Sequence, residues 1–387
     1  MKVVMQRVRT SRSMVVCTWV EAHGFNQYKK PASAGFFVNF NERKSLMQIK
    51  FPGGSRTRVN SAGNAVRTGF AAPEDLSVIE EWRAAHSSVI NTFQALLRNR
   101  AKDFDSKVIQ RHKRKATIFD KLQRQPGMDL ARMDDVAGCR VICPDVQTLY
   151  KFRLSMHGAR FDHVLKSGVD KYHYIKSPKS DGYRGIHDVY EYNVSSEEGK
   201  HLRGLRIEIQ YRTEIQNAWA TTNEIITHIT KGGSEPKFHR GDLRYVKAMA
   251  LASEILARSF EGCPGPQSEL EPQEVVERFD ELDSELKLTM RLAGLRVAKG
   301  VDGSSGTEFI LFREGSQLEL LGFSTQGEAL SKLFELERSW PAADVVYVPS
   351  STSEEIRSTF KNYYDDSRDF LRWLGEGREY LQSLPPH

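Results

Sequence analysis

Two acids stand out for where the sequence puts them. Glu208 lies in Ile207-Glu208-Ile209-Gln210-Tyr211-Arg212, where apolar and polar residues alternate. That period predicts a strand with one buried face, and it sets Glu208, Gln210 and Arg212 in a row on the other face. After Thr213 the spacing turns helical through Ile215, Ala218, Trp219 and Ala220. A carboxylate on the open face of a strand, just before a helix, is where α/β folds place chemistry. Asp135 opens a second apolar stretch that runs through Gly138 and Arg140 to Cys143. Between the acids lies a Gly/Pro/Tyr loop, Ser177-Pro-Lys179-Ser-Asp181-Gly-Tyr183-Arg184-Gly-Ile-His187, with Lys171 shortly before it. Upstream stands a basic run holding Arg111, Lys113, Thr117 and Lys121. A triphosphate carries about four negative charges and needs donors in fixed geometry, which such a run could supply. An aromatic ring with flanking cations suits a base that carries a polyphosphate.

The elements that must position these residues follow from pattern and punctuation. Pro73-Glu-Asp opens an amphipathic helix over 73–100, with a stripe of Ile79, Trp82, Ala85, Val89, Ile90, Phe93 and Leu96. The basic run is expected to be a helix over 108–123, anchored by Ile118, Phe119 and Leu122 and ended by Gln125-Pro-Gly. Asp145 is placed to cap a helix after the Asp135 strand. A helix over 242–260 closes this part of the chain, and Gly262-Cys-Pro-Gly-Pro-Gln reads as a linker. The tail starts afresh, with a helix over 273–295, a hairpin turning at Glu314-Gly315, a helix over 326–338, a short strand over 345–349, and helices near 353–360 and 367–374. The fold class is therefore α/β (α+β), a mixed sheet flanked by helices plus a small C-terminal α/β module. The division expected is a poorly defined extension over 1–55, in which Met47 offers an alternative start, a domain over 56–261, a linker over 262–272, and the module over 273–387.

Charge is unevenly spread. Residues 1–125 hold 23 lysines and arginines against 9 acids, a net of +14, whereas residues 264–387 hold 13 against 23, a net of −10. A basic front half suits a polyphosphate or nucleic-acid partner. The acidic tail reads as a solvated surface or as a segment that docks on the basic part of its own chain. The four cysteines, Cys17, Cys139, Cys143 and Cys263, lack CxxC spacing and histidine partners at zinc spacing, which suggests a reducing compartment. With no apolar run near the roughly 18 residues of a membrane span and no secretory leader pattern, a cytoplasmic protein with no membrane partner is expected.

Taken together and in this order, the motifs resemble the synthetase domain of the RelA/SpoT homologues, over residues 59–259. The resemblance implies a nucleotidyltransferase-like synthetase fold. It makes Arg111, Lys113, Thr117, Lys121 and Arg140 binders of donor ATP, and Asp135 and Glu208 the ligands of a Mg²⁺ cofactor. Glu208, Asp135 and Gln210 become the catalytic set, with Glu208 assisting deprotonation of an acceptor 3′-hydroxyl. Tyr183, His187, Lys179 and Lys171 become the acceptor-binding set. Asp181 departs from the asparagine that many relatives carry before Gly-Tyr, and Thr221-Thr-Asn-Glu224 departs from the pattern that Trp219 and His228 otherwise echo. The expected activity is ATP-dependent pyrophosphate transfer to GDP or GTP. The alternatives are transfer to the 3′ end of tRNA by a toxin, or a non-catalytic RNA-binding regulator. The tail resembles modules fused to CapRel-type relatives, which implies restraint by intramolecular docking and a protein trigger. Its most function-like patch is 362–369.

Overall fold

The computed structural model describes residues 50–230, 234–235, 240–295, 306–314, 317–340, 343–349, 356 and 366–385. The leader with Cys17 and Met47, Gly315, most of the helix expected near 353–360, residues 362–365 of the tail patch and the His228 side chain lie outside the described residues.

Helices α1 (Arg56–Thr68) and α2 (Pro73–Ala101) precede strand β1 (Lys107–His112), helix α3 (Lys115–Arg124) and strand β2 (Ala137–Cys143). Helix α4 (Val146–His157), strands β3 (Val164–Leu165), β4 (Ile186–Glu191) and β5 (Arg206–Thr213), and helix α5 (Glu214–Ile229) follow. The sheet runs β1-β2-β5-β4-β3, with β2 parallel to β5 and the other pairs antiparallel, so it is a mixed sheet in an α+β fold. Its apolar face, with Ala137, Cys139, Val141, Ile207, Ile209 and Tyr211, packs in one core with Val59, Trp82, Phe93, Leu97 and Phe152 of the helices. Cys139 and Cys143 are free and buried there, and burial pushes the Cys139 thiol up to about 12. They pack as small apolar groups.

One expectation for the front half is corrected. The basic run is not one helix over 108–123: Arg111 stands on β1, and Lys113-Arg114 is a corner before α3. The strand was disguised because its inward face carries polar residues, Gln110 and His112, both buried. Gln94 reaches Gln110, their amides 2.8 Å apart, and the Arg83 carbonyl lies 2.7 Å from His112 Nε2. Helix α1 carries little hydrophobic signal in sequence, because its buried face is built from Val59, Ala62, Gly63 and Val66. A Cβ on Gly63 would stand 2.6 Å from that of Leu130, so the small residue permits the approach of the helix.

After the short pair β6 (Ser234–Glu235) and β7 (Arg240–Gly241), helix α6 (Leu243–Leu256) runs into a π-turn, Ala257–Glu261. Helices α7 (Pro272–Leu286) and α8 (Leu288–Ala293) replace the single helix expected over 273–295. The break is Lys287, at φ 52°, and Asp283 caps α8 through the Thr289 amide and hydroxyl. Strands β8 (Glu308–Glu314) and β9 (Gln317–Phe323), helix α9 (Gln326–Ser339), strand β10 (Asp344–Pro349) and helix α10 (Arg368–Ser383) complete the chain. Helix α10 continues nine residues past the expected end because Gly375 and Gly377 do not break it. Gly377 instead lets α10 approach Ile255, and its carbonyl accepts from Ser259 Oγ at 3.1 Å.

The tail packs in two places. Helices α7, α8 and α10 share a core with α5 and α6, through Trp219, Ile226, Met249, Ile255, Val276, Phe279, Phe370 and Leu374. The three-stranded sheet, ordered β10-β8-β9, uses alternate residues on two faces. Phe309, Leu311, Leu320, Val346 and Val348 cover Ile109 of β1 and Ile142 of β2. Ile310, Phe312, Val345 and Tyr347 pack on Ala329, Leu333 and Leu336 of α9. No described helix is long and apolar enough to cross a membrane.

Candidate active site

The β5 row forms as its period predicted. Glu208, Gln210 and Arg212 alternate with buried Ile207, Ile209 and Tyr211. The three side chains are linked: Gln210 Nε2 donates to Glu208 Oε2 at 2.7 Å, and Arg212 Nη2 donates to Gln210 Oε1 at 3.2 Å. Register extends the row across the sheet. Arg111, Gly138 and Glu208 are cross-strand neighbours on β1, β2 and β5, and Arg140, Gln210 and His187 on β2, β5 and β4. Directly paired residues share a face, so Arg111, Arg140, Glu208, Gln210 and His187 project from one side. A Cβ on Gly138 would meet its neighbours only at ordinary distances, 3.5 Å or more, so this glycine leaves open room between Arg111 and Glu208 rather than relieving a clash.

Asp135, two residues before β2, receives Lys113 Nζ at 2.8 Å and Lys121 Nζ at 2.9 Å, one cation on each carboxylate oxygen. Burial disfavours its charge and Glu208 repels it, yet the two lysines hold its carboxyl below the usual range. Burial in turn lowers the Lys113 ammonium, which Asp135 supports. Arg140 donates from Nη1 to Asn217 Oδ1 at 3.3 Å and from Nε to Gln210 Oε1 at 3.4 Å. Burial and the neighbouring Arg212 bring its guanidinium down to about 9. Thr117 lies on α3 between the two lysines, half-buried.

On the other side, Glu208 Oε1 meets His187 Nδ1 at 3.0 Å, and His187 Nε2 meets the Tyr183 hydroxyl at 2.5 Å. Burial opposes ionisation of Glu208, but His187 and the Gln210 amide hold its carboxyl far below the usual range. Burial disfavours the imidazolium, but Tyr183 and Glu208 raise His187 to about 9. Tyr183 is lowered to about 7 against the effect of burial, chiefly by Arg212 and His187. The Tyr183 ring has cations on it, Arg212 at 5.1 Å and Lys179 Nζ at 5.2 Å from its centre. Lys171 is exposed, with Nζ over the ring of Tyr172, whose carbonyl accepts from the His187 amide. Tyr183, His187 and Lys179, expected to bind an acceptor, are thus contiguous, and Lys171 sits at their rim.

The loop that presents Tyr183 is fixed from both ends. Gly182 has φ 99°, and a Cβ there would stand 2.8 Å from Trp219 and 2.9 Å from the Met249 carbonyl, so backbone and packing both demand glycine. Asp181 Oδ1 accepts from the Tyr183 amide at 2.9 Å, a turn that an acid makes as well as an amide does. Arg184 is buried and pairs with Glu261 of the π-turn, which also accepts from Thr213 Oγ1 and Gln216 Nε2 at the start of α5. Asp188, next to His187, points the other way and is buried against Arg153 Nη2 and His157 Nε2, both at 2.7 Å. It is structural.

Two residues at this site, Asn217 and Tyr174, belong to none of the motifs, whereas Arg212 stands in the β5 row and Trp219 in the helix pattern that follows it. Arg212 and Asn217 hold Gln210, Tyr183 and Arg140, and Trp219 packs on Gly182. Tyr174 stands edge-on to Tyr183 at 5.7 Å and to His187 at 5.4 Å, with Lys179 Nζ over its ring.

Among the described residues no group of three or more His, Cys, Asp or Glu could hold a metal ion. The two carboxylates nonetheless suit a Mg²⁺ that takes one or two protein oxygens and completes its shell with substrate phosphate and water. Both carboxyls are held below their usual range, and Glu208 opposes the charge on Asp135.

Residues 110–229 match the family model described as "Region found in RelA / SpoT proteins". Uncharacterized proteins of Mycobacterium bovis and Mycobacterium tuberculosis are 26% identical over 178 residues, which is 45% of this chain and 59% of theirs, so the chain spans little more than half the length of these curated relatives. Among solved structures, the small alarmone synthetase 1 of Bacillus subtilis is 23% identical, covers 52% of this chain and 93% of its own, and has a TM-score of 0.36. A GTP pyrophosphokinase family protein from Streptococcus pneumoniae is 22% identical, with coverage of 54% and 96% and a TM-score of 0.38. The matched stretch runs from within β1 to the end of α5 and holds both acids.

Proposed function

We propose that the chain transfers the β,γ-pyrophosphate of ATP to the 3′-hydroxyl of a guanine nucleotide, GDP or GTP. The observation that carries this reading is the placement of ionised Asp135 and Glu208 among Lys113, Lys121, Arg140 and Arg111, with a cation-flanked tyrosine alongside. Lys113, Lys121, Arg111 and Arg140 bind and orient the triphosphate. Tyr183, with Lys179 and Arg212, offers the acceptor an aromatic surface and positive charge. The acceptor oxygen gives up its proton towards Glu208 and bonds to the β-phosphorus. The bond between that phosphorus and the α,β-bridging oxygen breaks, and AMP leaves. Gln210 and His187 hold Glu208 as an anion in place. Asp135 and Glu208 would hold Mg²⁺, which when bound neutralises phosphate charge. Positioning and charge neutralisation carry most of such a reaction, in line with a site rich in cations and holding two acids.

The test is a label transfer with Mg²⁺ and γ-labelled ATP, offering GDP, GTP and bulk tRNA separately. Label on GDP or GTP is expected. Label on tRNA alone would replace the nucleotide acceptor with an RNA end, and label on none would overturn the reading.

A further inference from the structure

Helix α3 carries Thr117 and Lys121 and follows directly on Lys113, yet it lacks the means to hold its own first turn. Its N-cap residue, Arg114, makes no side-chain cap, and no acid lies in its first turn. Arg114 and Lys115 instead put positive charge at the positive end of the helix dipole. The missing carboxylate arrives from far along the chain. Glu337 of α9 accepts from the Lys115 amide at 3.4 Å with Oε1 and from Arg83 Nη1 at 2.5 Å with Oε2. Arg83 is 1% exposed, and its Nε donates to the Lys113 carbonyl at 2.8 Å. The Phe334 ring, one turn before Glu337, lies 5.6 Å below the guanidinium. Asp344 of β10 pairs with Arg114, and Glu80 receives Lys115 Nζ at 3.0 Å and Arg338 Nη1 at 3.7 Å.

We infer that Glu337 is a positioning residue of the donor side, the cap that fixes Lys113 and the first turn of α3 from the tail. This rests on the reading of Lys113 and Lys121 as triphosphate binders. It gives the α9–β10 part of the tail a constructive role: removing Glu337 should loosen the donor side and leave the acceptor side, on β4 and β5, in place. The carboxylate acts on one backbone amide and on a buried guanidinium that holds the Lys113 carbonyl, so it sets where the lysines stand rather than what they touch.

The test compares the full chain with Glu337→Gln and with Leu333→Ala, which disturbs the α9 core without touching the cap. Amide hydrogen exchange, with no ligand present, is read at residues 115–118 and in β5. Affinity for a non-hydrolysable ATP analogue with Mg²⁺ and the acceptor KM are then measured. The inference expects Glu337→Gln to speed exchange at 115–118 by about tenfold and to weaken the analogue by about tenfold, with β5 exchange and the acceptor KM within about twofold. Unchanged exchange at 115–118, or unchanged analogue affinity, overturns it. So does Leu333→Ala producing the same losses at an equal fall in Tm. A wild-type chain that binds no analogue removes the donor side and the inference with it. If the wild type binds the analogue and responds as expected but transfers no label, only the transfer reading falls.

Discussion

The proposed donor and acceptor sides of the site lie on neighbouring strands and are held by different parts of the chain. The acceptor side is supported from sequence neighbours and from the next helices: Gly182 against Trp219 and Met249, Arg184 against Glu261, and Tyr183 chained through His187 to Glu208. The donor side is supported from the other end of the chain, through Glu337 on Arg83 and Lys115 and Asp344 on Arg114. Both sides therefore lean on the tail, one through ion pairs of α9 and β10 and the other through the core that α5 and α6 share with α7, α8 and α10.

Cutting the chain at Gly262 should break this comparison most completely. It removes α7 and α10, which share the core of α5 and α6, and the sheet that covers Ile109 and Ile142. The expected outcome is a chain that no longer unfolds cooperatively, read by circular dichroism during heating. A folded fragment that keeps its Tm would show that the tail is dispensable for both sides.

Arg184→Met should come next. It leaves Glu261 buried without its cation, and breaking such a pair costs about 3–5 kcal/mol. Urea unfolding should show that loss, with the acceptor KM rising and ATP affinity affected less. An equal effect on both substrates would erase the distinction between the sides.

Acid should loosen the donor side first. His86 and His112 are buried beside Arg83, and burial holds His86 down at about 4 and His112 well below its usual value. Because the folded chain favours the neutral rings, their contribution is fully present above the unfolded value of 6.5 and is lost as pH falls towards 4. For His86 that loss is about 3 kcal/mol. Unfolding free energies measured between pH 7.5 and 4.5 should decline accordingly, and His86→Gln should flatten the decline. A slope that the variant leaves unchanged would put the acid sensitivity elsewhere.

The legible parts of the molecule were those where chemistry and period agree. The β5 row, the turn into α5 and the Asp135 strand follow from alternation, and the tail hairpin and α9 from ordinary patterning. Strand β1 hid behind Gln110 and His112, polar residues whose partners lie on α2 and cannot be seen from neighbours in the chain. Helix α1 hid behind its small residues. Glu337 looked like one more acid on a charged tail, since its partner Arg83 is 254 residues away in the sequence. Long-range pairs of this kind carry no local period and are recognised only once the chain is folded.

The proposed reaction needs Glu208 and Asp135 to act together as charges at one site. The most direct measurement is label transfer from γ-labelled ATP by the wild type, Glu208→Gln and Asp135→Asn, each checked for an unchanged Tm. Both substitutions keep the size of the side chain and remove its charge. The account predicts transfer by the wild type and a loss of about 10³-fold in each variant, on the scale of removing one preorganised electrostatic group from an active site. Transfer that survives in Glu208→Gln at the wild-type rate would contradict it.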